Sequence, residues 1–340
     1  MTDPVRITVL GTGRIGAMHA ELIARRIDGA ELAGVFDVHA PAAQAVGANL
    51  GVPVHDTLEA ALAAPSDAVC IATSTDTHVA VMQAAAQAGR AIFCEKPISL
   101  DVAQVDAGLA AVDAAGVLLQ IGFNRRFDPS HKAVADAVAA GAVGSPQIVR
   151  ITSRDPEPPP ISYIEVSGGF FNDMTIHDFD MARYVTGSDV VEVFATGAVL
   201  VDQAIGEAGD IDTAVITMWH ENGAITTIDN SRQAVYGYDQ RVEVFGSAGL
   251  VASDNPGVTT TTLRTPAGVA GSVMPYFFIE RYEQSYVDQW DAFVAAVRAG
   301  DPTPVSGRDG RAPLVIGMAA KRSFDEHRPV RIDEIDPPTS

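Results

Sequence analysis

Cysteine is nearly absent: Cys70 and Cys94 are the only two among 340 residues. Each lies in a short apolar run, Val69-Cys70-Ile71 and Ile92-Phe93-Cys94, and both read as buried free thiols. A disulfide would need an oxidising compartment that nothing in the composition suggests. Two cysteines without clustered histidines leave no structural zinc pattern, and no metal site is expected. Basic residues are also scarce. Lys and Arg number 23 against 43 Asp and Glu, for a net charge of −20. Such a surface repels phosphate backbones and anionic lipid, so neither nucleic acid nor a membrane is an expected partner. No apolar run approaches the ~18 residues of a bilayer span. No Asn-x-Ser/Thr sequon, internal repeat or low-complexity linker occurs. The start, Met-Thr-Asp-Pro-Val-Arg, has no basic segment leading into a long apolar one, which reads as cytosolic.

Apolar residues make up 47% of the chain, enough for a sizeable core, and at roughly 150 residues per domain the length suggests two domains. The first 120 residues alternate apolar runs with Ala-rich amphipathic stretches. The runs are Val5–Leu10, Glu31–Phe36, Ala68–Ala72, Ala91–Cys94 and Val117–Ile121. Helical candidates lie between them, near Ile15–Ile27, Ala40–Leu50, Thr77–Ala88 and Asp101–Ala115. This rhythm predicts a doubly wound parallel sheet of the α/β class. Later text differs. Helices are expected over Pro129–Ala140 and Gly168–Thr186, separated by the Pro-rich stretch Pro156–Pro160. Strands follow at Val190–Leu200, Thr213–His220, Ala224–Asn230, Arg241–Phe245 and Gly249–Ala252. Short turns such as Glu221-Asn222-Gly223 join some of them, which predicts a mostly antiparallel, open-sheet α+β domain. Helices Glu280–Ala299 and Arg308–Glu326 close the chain, and the tail Asp333–Ser340 is expected to be loose. The division is placed at 1–123 and 124–340, with late helices free to pack back on the first domain.

Gly11-Thr12-Gly13-Arg14-Ile15-Gly16 follows the first strand and opens the first helix. In that context G-x-G-x-x-G predicts dinucleotide binding: Gly11 for a tight turn, Gly13 for close approach of a pyrophosphate, Gly16 for helix–strand packing. The helix N-terminus presents free N–H groups to the phosphates. Asp37 lies at the end of the second apolar run, where a carboxylate accepts from an adenosine ribose and repels a 2′-phosphate. No arginine follows it, so NAD is expected over NADP.

Two further segments carry reactive side chains. Glu95-Lys96-Pro97 follows the fourth apolar run, and ligands of open α/β sheets bind beyond the carboxyl ends of the strands. An amine there can stabilise charge developing on a substrate oxygen. In Gly168–Asp180, Asp173 and His177 stand four apart, and Asp180 three further on, as if on one helix face. Histidine exchanges protons near neutral pH, and a neighbouring carboxylate can orient it.

With these motifs the chain resembles the Gfo/Idh/MocA oxidoreductases over nearly its full length, and within them the inositol 2-dehydrogenases. Gly122-Phe123-Asn124-Arg125-Arg126-Phe127-Asp128, Met174–Asp180 and Tyr236-Gly237-Tyr238-Asp239 carry the finer likeness. The resemblance implies a Rossmann domain, a substrate domain with an antiparallel sheet, and a homotetramer built by packing those sheets. It implies catalysis by Lys96, Asp173 and His177. Cofactor contacts would come from Gly11, Gly13, Arg14, Ile15, Asp37, Thr73, Ser74, His78 and Glu95. Polyol contacts would come from Asn124, Arg125, Asp155, Asp180 and Tyr238. The expected substrate is a cyclic polyol, foremost myo-inositol oxidised to its 2-ketone. The alternatives are scyllo-inositol, an aldose, or a non-catalytic NAD-binding regulator. Two segments depart from the family: Ser74-Thr75 stands where Pro-Asn is frequent, and Ser153-Arg154-Asp155-Pro156-Glu157 differs from some inositol enzymes. The second departure bears on the choice of stereoisomer.

Overall fold

Strands β1 (Val5–Leu10), β2 (Ala30–Phe36), β3 (Ala68–Ile71), β4 (Ala91–Cys94) and β5 (Leu119–Ile121) form one parallel sheet in the order β2-β1-β3-β4-β5. The computed structural model to which they belong describes residues 3–337. β3 is buried along its whole length, and β1 nearly so, as expected of strands covered on both faces. The connecting helices are α1 (Arg14–Arg25), α2 (Ala40–Leu50), α3 (Leu58–Ala63), α4 (His78–Gln87) and α5 (Val102–Ala115). Asp101 starts α5 by accepting the Ala103 N–H at 2.8 Å. The chain divides into two compact units. The first runs to Asn124 and regains Tyr286–Ala312; the second holds Arg125–Ser285 and Pro313 onward. A simple cut at 123/124 therefore leaves out the returning segment.

The second unit contains α6 (Pro129–Ala139), β6 (Pro146–Arg154), α7 (Ile161–Ile164), α8 (Phe170–Asp173), α9 (Ile176–Thr186), β7 (Val190–Ala198) and α10 (Gln203–Glu207). Then come β8 (Thr213–His220), β9 (Ile225–Ser231), β10 (Asp239–Gly246), β11 (Gly249–Ala252) and the separate hairpin β12 (Thr262–Thr265) and β13 (Gly268–Gly271). Helices α11 (Phe278–Ala299) and α12 (Gly307–Glu326) and strand β14 (Val330–Arg331) complete the chain. The large sheet runs β11-β10-β6-β9-β8-β7-β14 and is antiparallel except where β6 lies parallel to β9. Its inner face, including Val149, Ile151, Ile216, Met218, Ile228 and Val244, packs with Phe179, Val185 and Ala319 into one core.

Three expectations need correction. The central strand β6 was not foreseen, because its outward positions Ile148, Arg150, Thr152 and Arg154 dilute the apolar text. The exposed hairpin β12–β13, built of Thr, Gly, Ala and single apolar residues, was not foreseen either. The expected helix Gly168–Thr186 is instead two helices broken at Met174–Thr175. The tail is tied down at its start, where Arg328 pairs with Glu334 at 2.7 Å and Arg331 with Asp333 at 3.1 Å. Its last residues, 338–340, lie outside the described ones.

Candidate active site

The cofactor half of the site lies in the first unit. Gly11 adopts φ +92°, and a Cβ there would press on the Ala72 carbonyl. A Cβ at Gly16 would run into the carbonyl of Gly11. Gly13 is different: a Cβ there would meet nothing within 4 Å. No side chain caps α1 at Gly13, so its first-turn N–H groups face this open ground. That is the shape and polarity a pyrophosphate requires. Arg14 is exposed beside it and Ile15 is half-buried.

Asp37 closes the other end. Its Oδ2 accepts from the Thr12 N–H at 2.6 Å and from the Thr12 hydroxyl at 3.1 Å; its Oδ1 accepts from the His39 N–H at 2.8 Å. Burial alone would raise this carboxyl, but those hydrogen bonds hold it below its ordinary value, so it is ionised at neutral pH. A cavity of about 440 Å³ opens beside it, lined by Val38, Gln44, His55 and Thr57 among others. Among the described residues that line this cavity there is no Lys or Arg, and with the Asp37 carboxylate they fit an adenosine ribose better than a 2′-phosphate.

Glu95 and Lys96 follow β4, with the Lys96–Pro97 peptide cis. The Lys96 N–H donates to Glu95 Oε2 at 3.2 Å. The Thr73 hydroxyl accepts from Thr77 at 2.7 Å, and Ser74 is exposed on the same loop. His78, expected on the cofactor, opens α4 directly after this loop. It is buried, with Nδ1 at 2.9 Å from the Pro97 carbonyl and Nε2 at 3.1 Å from the Thr73 carbonyl. Its ring sits between the Lys96–Pro97 turn and the Thr73 loop. Asn124, expected on the polyol, is buried at the end of this unit.

The residues expected on a polyol lie, apart from Asn124, in the second unit and are built on ion pairs. Arg125 is buried and donates to Asp178 at 2.7 Å, to the Ser153 hydroxyl at 3.3 Å and to the Tyr238 hydroxyl at 3.3 Å. The far oxygen of Asp178 accepts from Asn230 at 2.9 Å. Arg126 forks onto Asp180 through Nε and Nη2, at 2.9 and 2.6 Å. A polyol would meet Asp180 as an Arg126–Asp180 pair, not as a bare carboxylate. Tyr238 is buried and stands edge-on to Tyr282, with ring centres 5.9 Å apart.

Asp173 ends α8 and is gripped at both oxygens. Tyr163 donates to Oδ1 at 2.8 Å, and the buried Arg232 reaches Oδ2 at 3.3 Å. Arg232 also lies 3.6 Å from Asp210 and over the Phe170 ring. Asp155 follows β6 and is pinned by its backbone, N–H to Ser231 and C=O from Ala234. Burial above all, helped by Asp173 and Asp178, pushes its carboxyl up to about 6 against the pull of Arg125 and Arg232. His177, one residue into α9, is half-buried. The second unit thus gathers Arg125, Asp155, Asp173 and Tyr238 into one charged cluster.

Sequence reasoning passed over Asp178, Arg126, Arg232 and Tyr163. Asp178 carried a local signal, an acid followed by the apolar Phe179 and preceded by His177 in Ile176-His177-Asp178-Phe179. Arg232 had none, since its partners are 22 and 59 residues away.

Residues 5–123 match the model described as an oxidoreductase family with an NAD-binding Rossmann fold, and residues 131–252 match the GFO/IDH/MocA C-terminal domain. A myo-inositol 2-dehydrogenase of Thermotoga maritima is 49% identical over 97% of this chain and 99% of its own. The chain belongs to the GFO/IDH/MocA oxidoreductase family. An inositol 2-dehydrogenase of Rhizobium meliloti is 46% identical over 96% of this chain and 99% of its own. Among solved structures, a scyllo-inositol dehydrogenase of Lactobacillus casei with bound NAD(H) and scyllo-inositol aligns with TM-score 0.91. It is 27% identical and covers 97% of this chain and 99% of that one. The family fold is therefore a Rossmann-type NAD-binding domain followed by a mostly antiparallel mixed sheet, and the cofactor is NAD. Among the described residues no helix is long and apolar enough to cross a membrane.

Proposed function

We propose that this protein is an inositol 2-dehydrogenase, oxidising the secondary C2 hydroxyl of myo-inositol to a ketone. The supporting observation is the make-up of the second unit's cluster. Arg125, Asp155, Asp173 and Tyr238 are polar groups held in place by one another and by Asp178, Tyr163 and Arg232, a preorganised set that suits a ring of hydroxyls better than an apolar alcohol. The high identity to inositol 2-dehydrogenases points the same way.

In this reading bound NAD supplies the acceptor for the carbinol hydrogen and its electron pair. His177 accepts the hydroxyl proton as general base. Lys96 hydrogen-bonds the same oxygen and offsets its developing negative charge. Asp173, held by Tyr163 and Arg232, orients His177 and balances the local positive charge. Asp155, Asn124 and Tyr238 hold the other hydroxyls, with the Arg126–Asp180 pair beside them. Gly11–Ile15, Asp37, Thr73, Ser74 and Glu95 hold the cofactor.

The test is NADH formation by the purified protein over myo-, scyllo- and chiro-inositol, glucose and galactose. Highest kcat/KM on myo-inositol supports the reading. A clear preference for scyllo-inositol or an aldose replaces the substrate and keeps the chemistry. NAD binding with no turnover on any polyol leaves a non-catalytic NAD-binding regulator.

The working form in this proposal is a cytosolic homotetramer. On the open face of the large sheet, Leu250, Phe245, Ile148, Ile225 and Trp219 align in register across five strands. Leu250, Phe245 and Ile148 are exposed, and such a row is the kind of surface a second sheet covers. Phe245→Glu should lower the mass seen in solution scattering; an unchanged mass removes this face from the assembly.

A further inference from the structure

Three side chains of the first unit form a relay that no motif announced. Trp290 Nε1 can only donate, and it donates to Nδ1 of His19 at 2.9 Å. Nδ1 is therefore the acceptor nitrogen, and in the neutral ring the hydrogen sits on Nε2. That nitrogen lies 2.8 Å from Oε1 of Glu95 and donates to it. His19 is completely buried, edge-on to Phe93, Tyr286 and Trp290, and Trp290 stacks on Phe93 with ring centres 4.4 Å apart. Packing leaves the imidazole one orientation, and the indole leaves it one tautomer. The second oxygen of Glu95 accepts from the Lys96 N–H. One carboxylate is thus fixed by a buried imidazole on one side and the backbone of the candidate catalytic lysine on the other.

The sheet order says which part of the cofactor this carboxylate serves. Asp37 at the end of β2 takes the adenosine ribose, and the glycine turn after β1 takes the pyrophosphate. Continuing through β3 and β4 brings the nicotinamide half to Thr73 and Glu95. We propose that His19 is a positioning residue that holds Glu95, in the Nε2–H tautomer set by Trp290, as the acceptor for the nicotinamide-ribose hydroxyls. Through Glu95 it also fixes the turn that carries Lys96. The inference rests on Lys96 acting as proposed above, but its test does not need turnover.

Nitrogen-resolved NMR of the imidazoles in NAD-free protein should show His19 as the Nε2–H tautomer. Trp290→Phe keeps the stacked ring but removes the donor, and should relax that preference. NAD affinity is then measured by calorimetry. Glutamine offers an acceptor to the indole and a donor to the carboxylate, so His19→Gln should keep affinity within about threefold. His19→Leu fills the space without either group and should weaken binding about tenfold, as for loss of a charge-assisted hydrogen bond. Should the leucine variant fail to fold, Trp290→Phe with about threefold weaker binding carries the same comparison. An Nδ1–H or doubly protonated His19 in the wild type overturns the proposal. So does equal NAD affinity of the glutamine and leucine variants, whether both are intact or both impaired. If NAD binds as expected and no polyol turns over, the substrate reading fails and this one stands.

Discussion

The two units solve the problem of polar recognition in opposite ways. The cofactor half uses backbone: an uncapped helix start, an open space beside Gly13, and one carboxylate held by Thr12 and His39. Such groups are fixed by the fold itself and need few side chains. The proposed polyol half uses side chains whose charges are matched over long sequence distances: Arg125 with Asp178, Arg126 with Asp180, Arg232 with Asp173 and Asp210. A dinucleotide presents the same phosphates and riboses everywhere, so a backbone cradle suffices. A polyol is distinguished from its isomers only by where each hydroxyl points, and that demands side chains locked in place. Substitutions in the first half should shift cofactor affinity and choice; those in the second should disturb turnover, isomer choice and stability together.

The largest expected effects test the chemistry shared by the two halves. His177→Ala should lower kcat by about 10²–10⁴-fold, as for loss of a general base, with NAD affinity by calorimetry unchanged. Lys96→Met should be at least as damaging. Near wild-type kcat in either variant would remove that residue from the mechanism. Next comes cofactor choice. Asp37→Ala should reduce the preference for NAD over NADP, read as a ratio of kcat/KM values, by on the order of tenfold or more. An unchanged ratio would mean that Asp37 serves only the Thr12 turn.

Arg232 sharpens the contrast on the side of stability. Removing one partner of a buried pair typically costs about 3–5 kcal/mol. Arg232→Met should therefore lower Tm by more than Asp37→Ala does, since the Asp37 carboxylate is partly open to solvent. Equal melting temperatures would dissolve the distinction between a backbone-built and an ion-pair-built half.

The smallest effect concerns pH. Asp155 stands at about 6, above the ordinary carboxylate value, so it is ionised above that pH and protonated below it. A polyol hydroxyl donates best to the ionised form. KM for the polyol should rise as pH falls from about 7 to 5, by up to about tenfold, and Asp155→Asn should flatten that rise. A wild-type KM that stays level across pH 6 would place Asp155 away from the substrate.

The same contrast explains what the sequence disclosed. The cofactor half was legible because Gly11, Gly13 and Gly16 act within six residues, and the parallel sheet writes itself as buried runs. In the second unit single residues could be named from motifs, Asp173, His177, Arg125, Asp155, Asp180 and Tyr238. Its wiring was hidden, because nothing local says that Arg232 meets Asp173, and in the first unit nothing local says that His19 meets Trp290. Local pattern also misled. The 3.6-residue rhythm continued across Met174–Thr175, where the structure breaks the helix and sets Asp173 and His177 on separate segments.

The central proposal is that Lys96 and His177 work on one substrate oxygen. A double-mutant cycle on kcat for myo-inositol, with Lys96→Met, His177→Ala and the combined variant, measures it most directly. Groups acting as a unit are strongly non-additive, so the double variant should be scarcely slower than the slower single one. Losses that simply multiply would show the two side chains serving separate tasks and would contradict the account.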